Sequence, residues 1–443
     1  MRPAAVVHFS GGRSGSRAST WGQYSIWAEM QVAAPEHARF NIPIEFSRDA
    51  GLTPESLVVA IRQALAVHES LRTRLRRTPE GELRQILSGR VRLPIDIVEV
   101  SDRWAMRDSK EALSERLLRK PFDFAAEWPI RVGAIARDGL IRYVVLVVSH
   151  HAIDHGAVPF LERTLWHEAI TSAEPMSLEP FDQAKYQTSP DGRRITAAAA
   201  DYWRKILCQA PSRMFQDKSD DPRTPRYWSA TLTSWALPLA AQRLSREMKV
   251  GPSAVLLAAL SATISNLVGT DRCVLLVQVH NRFRPELLAA VSSVTMEGLF
   301  FVRTGNVPFR EVVRRSWIAA VETYQYAYYD RRRIDAVIAE VGQQRGGSID
   351  LSCWINDMRS MEICPRPAEL KVANIVRKLG LTEVEWPSQY ERHNNVTFGL
   401  RAHGSHEVVK LELIADTHVL APVQMEHILR GIEAVIVEEF TGR

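Results

Sequence analysis

Hydrophobic positions along this chain fall into short runs, and runs with the period of a strand trade places with runs that have the period of a helix. Residues 40–46 (FNIPIEF) read as a strand. Thr53-Pro54-Glu55 follows, with a capping hydroxyl, a proline at the first helical position and an acid in the first turn. This predicts a helix on which Leu57, Ile61, Ala64, Leu65 and His68 share one face. Residues 83–87 and 95–100 read as short strands and residues 110–118 as a helix. Two more strands are expected over 130–136 and 141–148. The second, IRYVVLVV, is almost continuously apolar, as a strand buried on both faces would be. It stops at Ser149-His150-His151, and an amphipathic helix is expected from about residue 159 to 170.

Between residues 174 and 194 the chain becomes rich in Pro, Ser, Gln and Asp, a shift that predicts a boundary. Beyond it the pattern gives a helix over 197–207, a strand near 227–236, and helices over 239–249 and 253–267. Another buried strand, 273–279, ends in the polar cluster His280-Asn281-Arg282. A final helix carries Met425, Ile428, Leu429, Ile432, Val435 and Ile436 on one stripe. The two halves, residues 1–180 and 195–443, read as two versions of one α/β plan without a convincing sequence repeat. A length of 443 residues, long for a single core, agrees with two domains.

Composition narrows the class. A hydrophobic fraction of 46% and a charged fraction of 24% are those of a soluble globular protein. No apolar run reaches the roughly 18–20 residues that cross a bilayer, and the first 18 residues lack the apolar stretch of a secretory signal. The expectation is a cytoplasmic monomer with no membrane partner. Cys208, Cys273, Cys353 and Cys364 stand far apart, so neither a disulfide framework nor a zinc site is indicated, and Cys273 and Cys353 are expected as buried thiols. The net charge of +5 comes from arginine runs such as Arg74–Arg76–Arg77 and Arg331–Arg332–Arg333. Without interleaved aromatics they point away from nucleic acid and toward solvated helix faces, the alternative being docking of an acidic protein partner.

The main candidate for chemistry is Ser149-His150-His151-Ala152-Ile153-Asp154-His155-Gly156, at the end of the buried strand. A rigid sheet aims groups at its strand ends while the following loop exposes them. A histidine there can take a proton from an attacking amine or hydroxyl near neutral pH. Gly156 opens the next helix, where backbone N–H groups could face a developing oxyanion. A bland reading stands beside this one: a histidine pair that caps a strand by hydrogen bonds. A metal reading is weaker. His151 and His155 stand four apart, but the zincin pattern needs glutamate after the first histidine, and Ala152 stands there.

The segment from His150 to Gly156 resembles the H-H-x-x-x-D-G signature of nonribosomal peptide condensation domains and their acyltransferase relatives. Its surroundings match in order. Trp21-Gly22-Gln23-Tyr24-Ser25-Ile26-Trp27 resembles the family's A-Q-x-x-x-W segment. His68-Glu69-Ser70-Leu71-Arg72-Thr73-Arg74-Leu75 is close to R-H-E-x-L-R-T-x-F, with Val67 in place of the first arginine. Pro121-Phe122-Asp123-Phe124 is similar to P-F-D-L, Tyr202-Trp203 to Y-W, and Asn281-Arg282-Phe283-Arg284-Pro285-Glu286 to G-R-x-x-P-E. The stretch over 291–301 matches the family's G-F-F-V-N-T poorly, and residues 355–359 have no clear counterpart. Gly11-Gly12-Arg13-Ser14 has the letters of a carrier protein's attachment site but lacks the preceding helix and is read as a loop.

The resemblance implies an α/β fold of two chloramphenicol-acetyltransferase-like lobes, arranged as a V-shaped pseudo-dimer with a central tunnel. It implies an acyltransferase of secondary-metabolite or antibiotic biosynthesis that forms an amide or ester. The donor would be a thioester on the phosphopantetheine arm of a carrier protein acting in trans, with no cofactor bound to the chain itself and no metal. The acceptor would be a small-molecule or carrier-bound nucleophile. His151 would position and deprotonate it, and His150 would be mainly structural. The signature's aspartate falls at position 155, which is histidine here, with an acid one residue early at Asp154. In the family that aspartate pairs across the lobes with an arginine, matched here by Arg282. Either Asp154 reaches Arg282 in its place, or His155 fills the slot and the pair is lost. No adenylation segment accompanies these motifs, so a free-standing enzyme is expected. The alternatives are a catalytically silent condensation-like module that recruits a partner protein, and an acyl-coenzyme A-dependent relative.

Overall fold

The computed structural model describes residues 5–166, 177–215, 218–359, 371–393 and 396–441. Contacts divide the chain into two compact units, Met1–Arg194 with His280–Met296, and Ile195–Val279 with Glu297–Arg443. The segment His280–Met296 therefore packs with the first unit, although the sequence reading placed it in the second half.

In the first unit, strands β1 (Ala5–Ser10), β2 (Gly15–Ala18), β3 (Asn41–Leu52), β4 (Thr73–Arg77), β5 (Leu83–Leu87), β6 (Arg90–Glu99), β7 (Ile130–Arg137) and β8 (Leu140–Ser149) form two sheets. One has the order β1-β6-β7-β8-β3, the other β2-β5-β4. Helices α1 (Trp21–Val32), α2 (Pro54–Val67), α3 (Arg103–Leu118), α4 (Val158–Leu165) and α5 (Pro180–Gln187) join them, and α6 (Pro190–Leu207) leads into the second unit. The expected helix over 159–170 is α4 as far as it is described; its last residues, like Cys364, lie outside the described residues. The mixed first eighteen residues concealed β1 and β2, whose intervening turn holds Gly11 to Ser14.

β8 is the central element. Paired on one side with β7 and on the other with β3, it alternates its side chains between two cores. Val144, Leu146 and Val148 join the cluster that includes Leu57, Ile61 and Leu65 of α2 and Leu161 of α4. Tyr143, Val145 and Val147 face Leu113 and Leu117 of α3. This is why the run is apolar at every position: each face of the strand meets a helix layer. Helix starts follow their local chemistry. The Thr53 hydroxyl accepts the Ser56 N–H ahead of Pro54, Asp102 accepts from Trp104 and Ala105, and Thr20 and Gln23 form a reciprocal capping box at α1.

The second unit is built on one sheet of β9 (Tyr227–Ser234), β10 (Arg272–Val279), β11 (Met296–Arg303), β12 (Cys353–Asp357), β13 (Glu383–Tyr390), β14 (Phe398–Gly404) and β15 (Val409–Asp416), in the order β11-β10-β12-β14-β15-β9-β13. Helices α7 (Leu237–Met248), α8 (Pro252–Val268), α9 (Phe309–Gln325), α10 (Arg331–Gln344), α11 (Val372–Leu379) and α12 (Pro422–Thr441) complete it. The Y-W pair anchors α6 here: Tyr202 donates to the Leu299 carbonyl at 2.8 Å and Trp203 meets Tyr329 edge-on. Cys273 and Cys353 are buried, the first with its thiol pushed up to about 12 by burial. The arginine runs divide. Arg331, Arg332 and Arg333 start α10 and pair with Asp335, Asp330 and Glu340, as a solvated helix face would. Arg74, Arg76 and Arg77 lie on strand β4, not on a helix, and Arg74 and Arg77 stack over Trp128 and Trp27. Among the described residues no single helix is long and apolar enough to cross a membrane.

The segment His280–Met296 is fixed to the first unit by a close approach at Gly22 of α1. A β-carbon added there would lie 2.0 Å from the backbone oxygen of Ser293, which has no flexible end to move aside. Gly22→Ala is therefore expected to lower stability by about 1–3 kcal/mol, the usual cost of overpacking, read as an earlier midpoint in urea denaturation; an unchanged midpoint would contradict this packing.

Candidate active site

The buried strand β8 delivers its last residue, Ser149, to a tight turn closed by the N–H groups of Ala152 and Ile153 on the Ser149 carbonyl. His151 sits in that turn and is 1% exposed. Its Nδ1 lies 2.8 Å from the Ser149 hydroxyl and its Nε2 lies 3.5 Å from the Thr73 carbonyl. The Phe124 ring meets the imidazole edge-on, with centroids 5.4 Å apart. Burial pushes the His151 pKa down to about 4, against a smaller upward pull from Thr73, so the ring is neutral at physiological pH. His150 is half-buried with its ring near that of His155, and its pKa is lowered by burial despite the nearby Asp154.

Two motifs that flank the histidines in sequence close around them. In the H-E-S-L-R-T segment, Thr73 supplies the carbonyl near His151, and its hydroxyl donates to the Glu69 carbonyl at 2.7 Å. His68 reaches across to Thr164 of α4 at 2.8 Å, and Arg72, 2% exposed, binds the Leu65, Arg13 and Ser88 carbonyls. In P-F-D-F, Asp123 caps its own turn through the N–H groups of Ala125 and Ala126, while Arg131 stacks on Phe122. Leu75 N–H donates to the Phe124 carbonyl, which places the Phe124 ring against His151.

Asp154, 1% exposed, lies 2.7 Å from Arg282. The same oxygen accepts the Ala157 N–H, and the other accepts the N–H groups of Val294 and Thr295 and the Thr295 hydroxyl, at 2.8–2.9 Å. Burial alone would raise this carboxyl, but Arg282 and the backbone donors hold it below the usual carboxylate range. Arg282 is held in turn by the Ala290 and Ser292 carbonyls. The acid one residue early thus meets the arginine, and His155 is exposed. Both partners lie in the first unit, so the pair closes within one compact body, not across a lobe junction. Gly156 also has a steric part. It lies in a single short turn, His155–Ala157, ahead of α4, and a β-carbon on it would come within 2.7 Å of the Arg282 guanidinium. Glycine thus leaves room for the arginine.

Sequence reasoning missed Thr295, which spends both its N–H and its hydroxyl on Asp154 from a stretch with little resemblance to the family's pattern. It also missed Arg13, which bridges Glu69 and Asp182 from the turn between β1 and β2. No local periodicity marks either residue, because each acts through partners more than fifty positions away.

Two mixed α/β units, one with a buried histidine at the end of its central strand, define the two-lobe chloramphenicol-acetyltransferase-like fold. Within that class the chain belongs to the condensation-domain family, whose model, described as Condensation domain, matches residues 21–310. A linear gramicidin synthase from Brevibacillus parabrevis is 24% identical over 339 residues, which are 71% of this chain and 4% of that protein. The chondramide synthase of Chondromyces crocatus is 24% identical over 355 residues, 74% of this chain and 8% of that protein. The chain thus spans a small fraction of the length of these relatives. Among solved structures, a condensation domain studied for chain release from the enacyloxin polyketide synthase aligns with a TM-score of 0.70 at 14% identity, covering 99% of this chain and 84% of that one. The epimerization domain from the third module of tyrocidine synthetase B aligns with a TM-score of 0.70 at 12% identity, covering 98% and 100%. At such identities the likeness is one of fold, while the family supports a condensation-type, transferase role.

Because Asp154 and Arg282 are each the other's counter-charge, Asp154→Asn and Arg282→Ala are each expected to cost about 3–5 kcal/mol, and the double variant less than their sum. His155→Ala should leave stability within about 0.5 kcal/mol of wild type. Additive losses in a denaturation cycle would contradict the pairing.

The buried histidines set a pH dependence. His68 and His151 are both pushed down to about 4 in the folded chain by burial, against about 6.5 when unfolded. Between these values the unfolded state binds more protons, so stability rises with pH across that window and falls on acidification from pH 6.5 toward 4. Denaturation midpoints at pH 7 and pH 5 should show the fall, and His68→Gln should make it shallower.

Proposed function

We propose that the chain transfers an acyl or aminoacyl group from a carrier-protein phosphopantetheine thioester to an amine or hydroxyl, with His151 as the group that positions and deprotonates the nucleophile. The observation that carries this reading is the buried imidazole of His151, held by Ser149 just past the end of β8 in a member of the condensation-domain family. A base must be unprotonated to accept a proton, and burial keeps this ring so. In the reaction the nucleophile's N–H or O–H proton passes to Nε2 as its lone pair adds to the thioester carbonyl. A new C–N or C–O bond forms, the C–S bond breaks, and the departing thiolate takes up the proton. His150 and the Asp154–Arg282 pair hold the turn that presents His151.

The alternative of a silent, partner-recruiting module drew its support from the displaced aspartate. Asp154 in contact with Arg282 weighs against it, since the turn keeps its counter-charge. An acyl-coenzyme A donor is the remaining variant, and kinetics separate the two. Remote binding energy from a carrier protein helps position the reacting thioester, so an acylated carrier should be used far better than the same acyl group on coenzyme A or on a short thiol. Equal use of the three would contradict the carrier reading. In the same assay, with product followed by mass spectrometry, His151→Ala should lower turnover by about 10²–10⁴-fold with the fold intact. His150→Ala should lower the melting temperature more than the specific activity.

A further inference from the structure

We propose that Ser149 is a positioning residue for His151, its hydroxyl holding Nδ1 so that Nε2 presents its lone pair; this rests on His151 being the base. The Ser149 hydroxyl lies 2.8 Å from Nδ1, while the Thr73 carbonyl, which only accepts, is 3.5 Å from Nε2, long for an N–H···O bond. The stronger contact is therefore the one that orients the ring. With the ring hydrogen on Nδ1 and donated to Ser149, Nε2 has a lone pair for the nucleophile's proton.

No proton then has to move within the ring before the reaction. When Nε2 takes the nucleophile's proton, the imidazolium donates from Nδ1 to the same oxygen, and the added proton later leaves with the thiolate. Ser149 is 0% exposed and is the last residue of a strand packed on both faces, so its oxygen is held in place for each step. Because the hydroxyl is uncharged, it orients the ring without raising its basicity as a carboxylate would.

The test uses ¹⁵N NMR of the intact chain and turnover kinetics together. In the wild type, Nδ1 of His151 should resonate as a protonated, hydrogen-bonded nitrogen and Nε2 as an unprotonated one; in Ser149→Ala the Nδ1 resonance should move to its unbonded position. With acylated carrier, Ser149→Ala should lower kcat about 10–100-fold, the scale on which groups that orient an imidazole act, with KM nearly unchanged, and Ser149→Thr should restore most of the loss. Ser149→Cys, which keeps the volume with a weaker hydrogen-bonding group, should fall between them and covers the case in which the alanine variant folds poorly. An Nδ1 resonance unchanged in Ser149→Ala, or wild-type kcat in the alanine and cysteine variants, overturns the proposal. Normal turnover in His151→Ala would instead overturn the assignment of the base, while the NMR comparison, which needs no substrate, would still report on Ser149.

Discussion

A carboxylate that is 1% exposed must find enough donors to replace water, and the turn after β8 is organised around that demand for Asp154. Five donors converge on it: Arg282, the N–H groups of Ala157, Val294 and Thr295, and the Thr295 hydroxyl. They come from the start of the following helix and from the segment His280–Met296, so satisfying one side chain ties two distant stretches of chain together. The arrangement also explains glycine at 156, where any side chain would collide with the guanidinium. His151 lies three residues before Asp154 in the same turn, and its orientation depends on that anchor holding.

The second constraint is burial of the histidines. His68, His150 and His151 are all less basic than in water because burial penalises their charged forms. For His68, bonded to Thr164, this serves the core. For His151 it ensures an uncharged ring without any acidic partner, in contrast to a histidine–carboxylate pair. The basicity a carboxylate would add is given up, and a hydroxyl and a carbonyl supply orientation alone.

Much of this was legible in the sequence. The unbroken apolar run of β8 told of a strand packed on both faces, and Thr53-Pro54 marked the start of α2 within a residue. The displaced acid could be matched to Arg282 because both sit in motifs with recognisable neighbours. What stayed hidden depended on contacts remote in sequence. β1 is only six residues long and β2 only four, too short to show a clear period, yet their turn supplies Arg13 to Glu69 and Asp182. Thr295 lies where the family pattern fades. The steric part of Gly156 was hidden because spacing shows only a helix start, while three-dimensional packing reveals the arginine against its α-carbon. The assignment of residues 280–296 to the first unit was likewise invisible, because they follow β10 directly in the chain.

The most direct test of the central claim is the pH dependence of acyl transfer to a hydroxyl acceptor, whose own protonation state is constant over the range. With His151 neutral down to about pH 4, kcat/KM should show no histidine limb between pH 5 and 7.5. An acid limb centred near 6.5, present in the wild type and absent in His151→Asn, would mean that the base is a solvated histidine and would contradict the account.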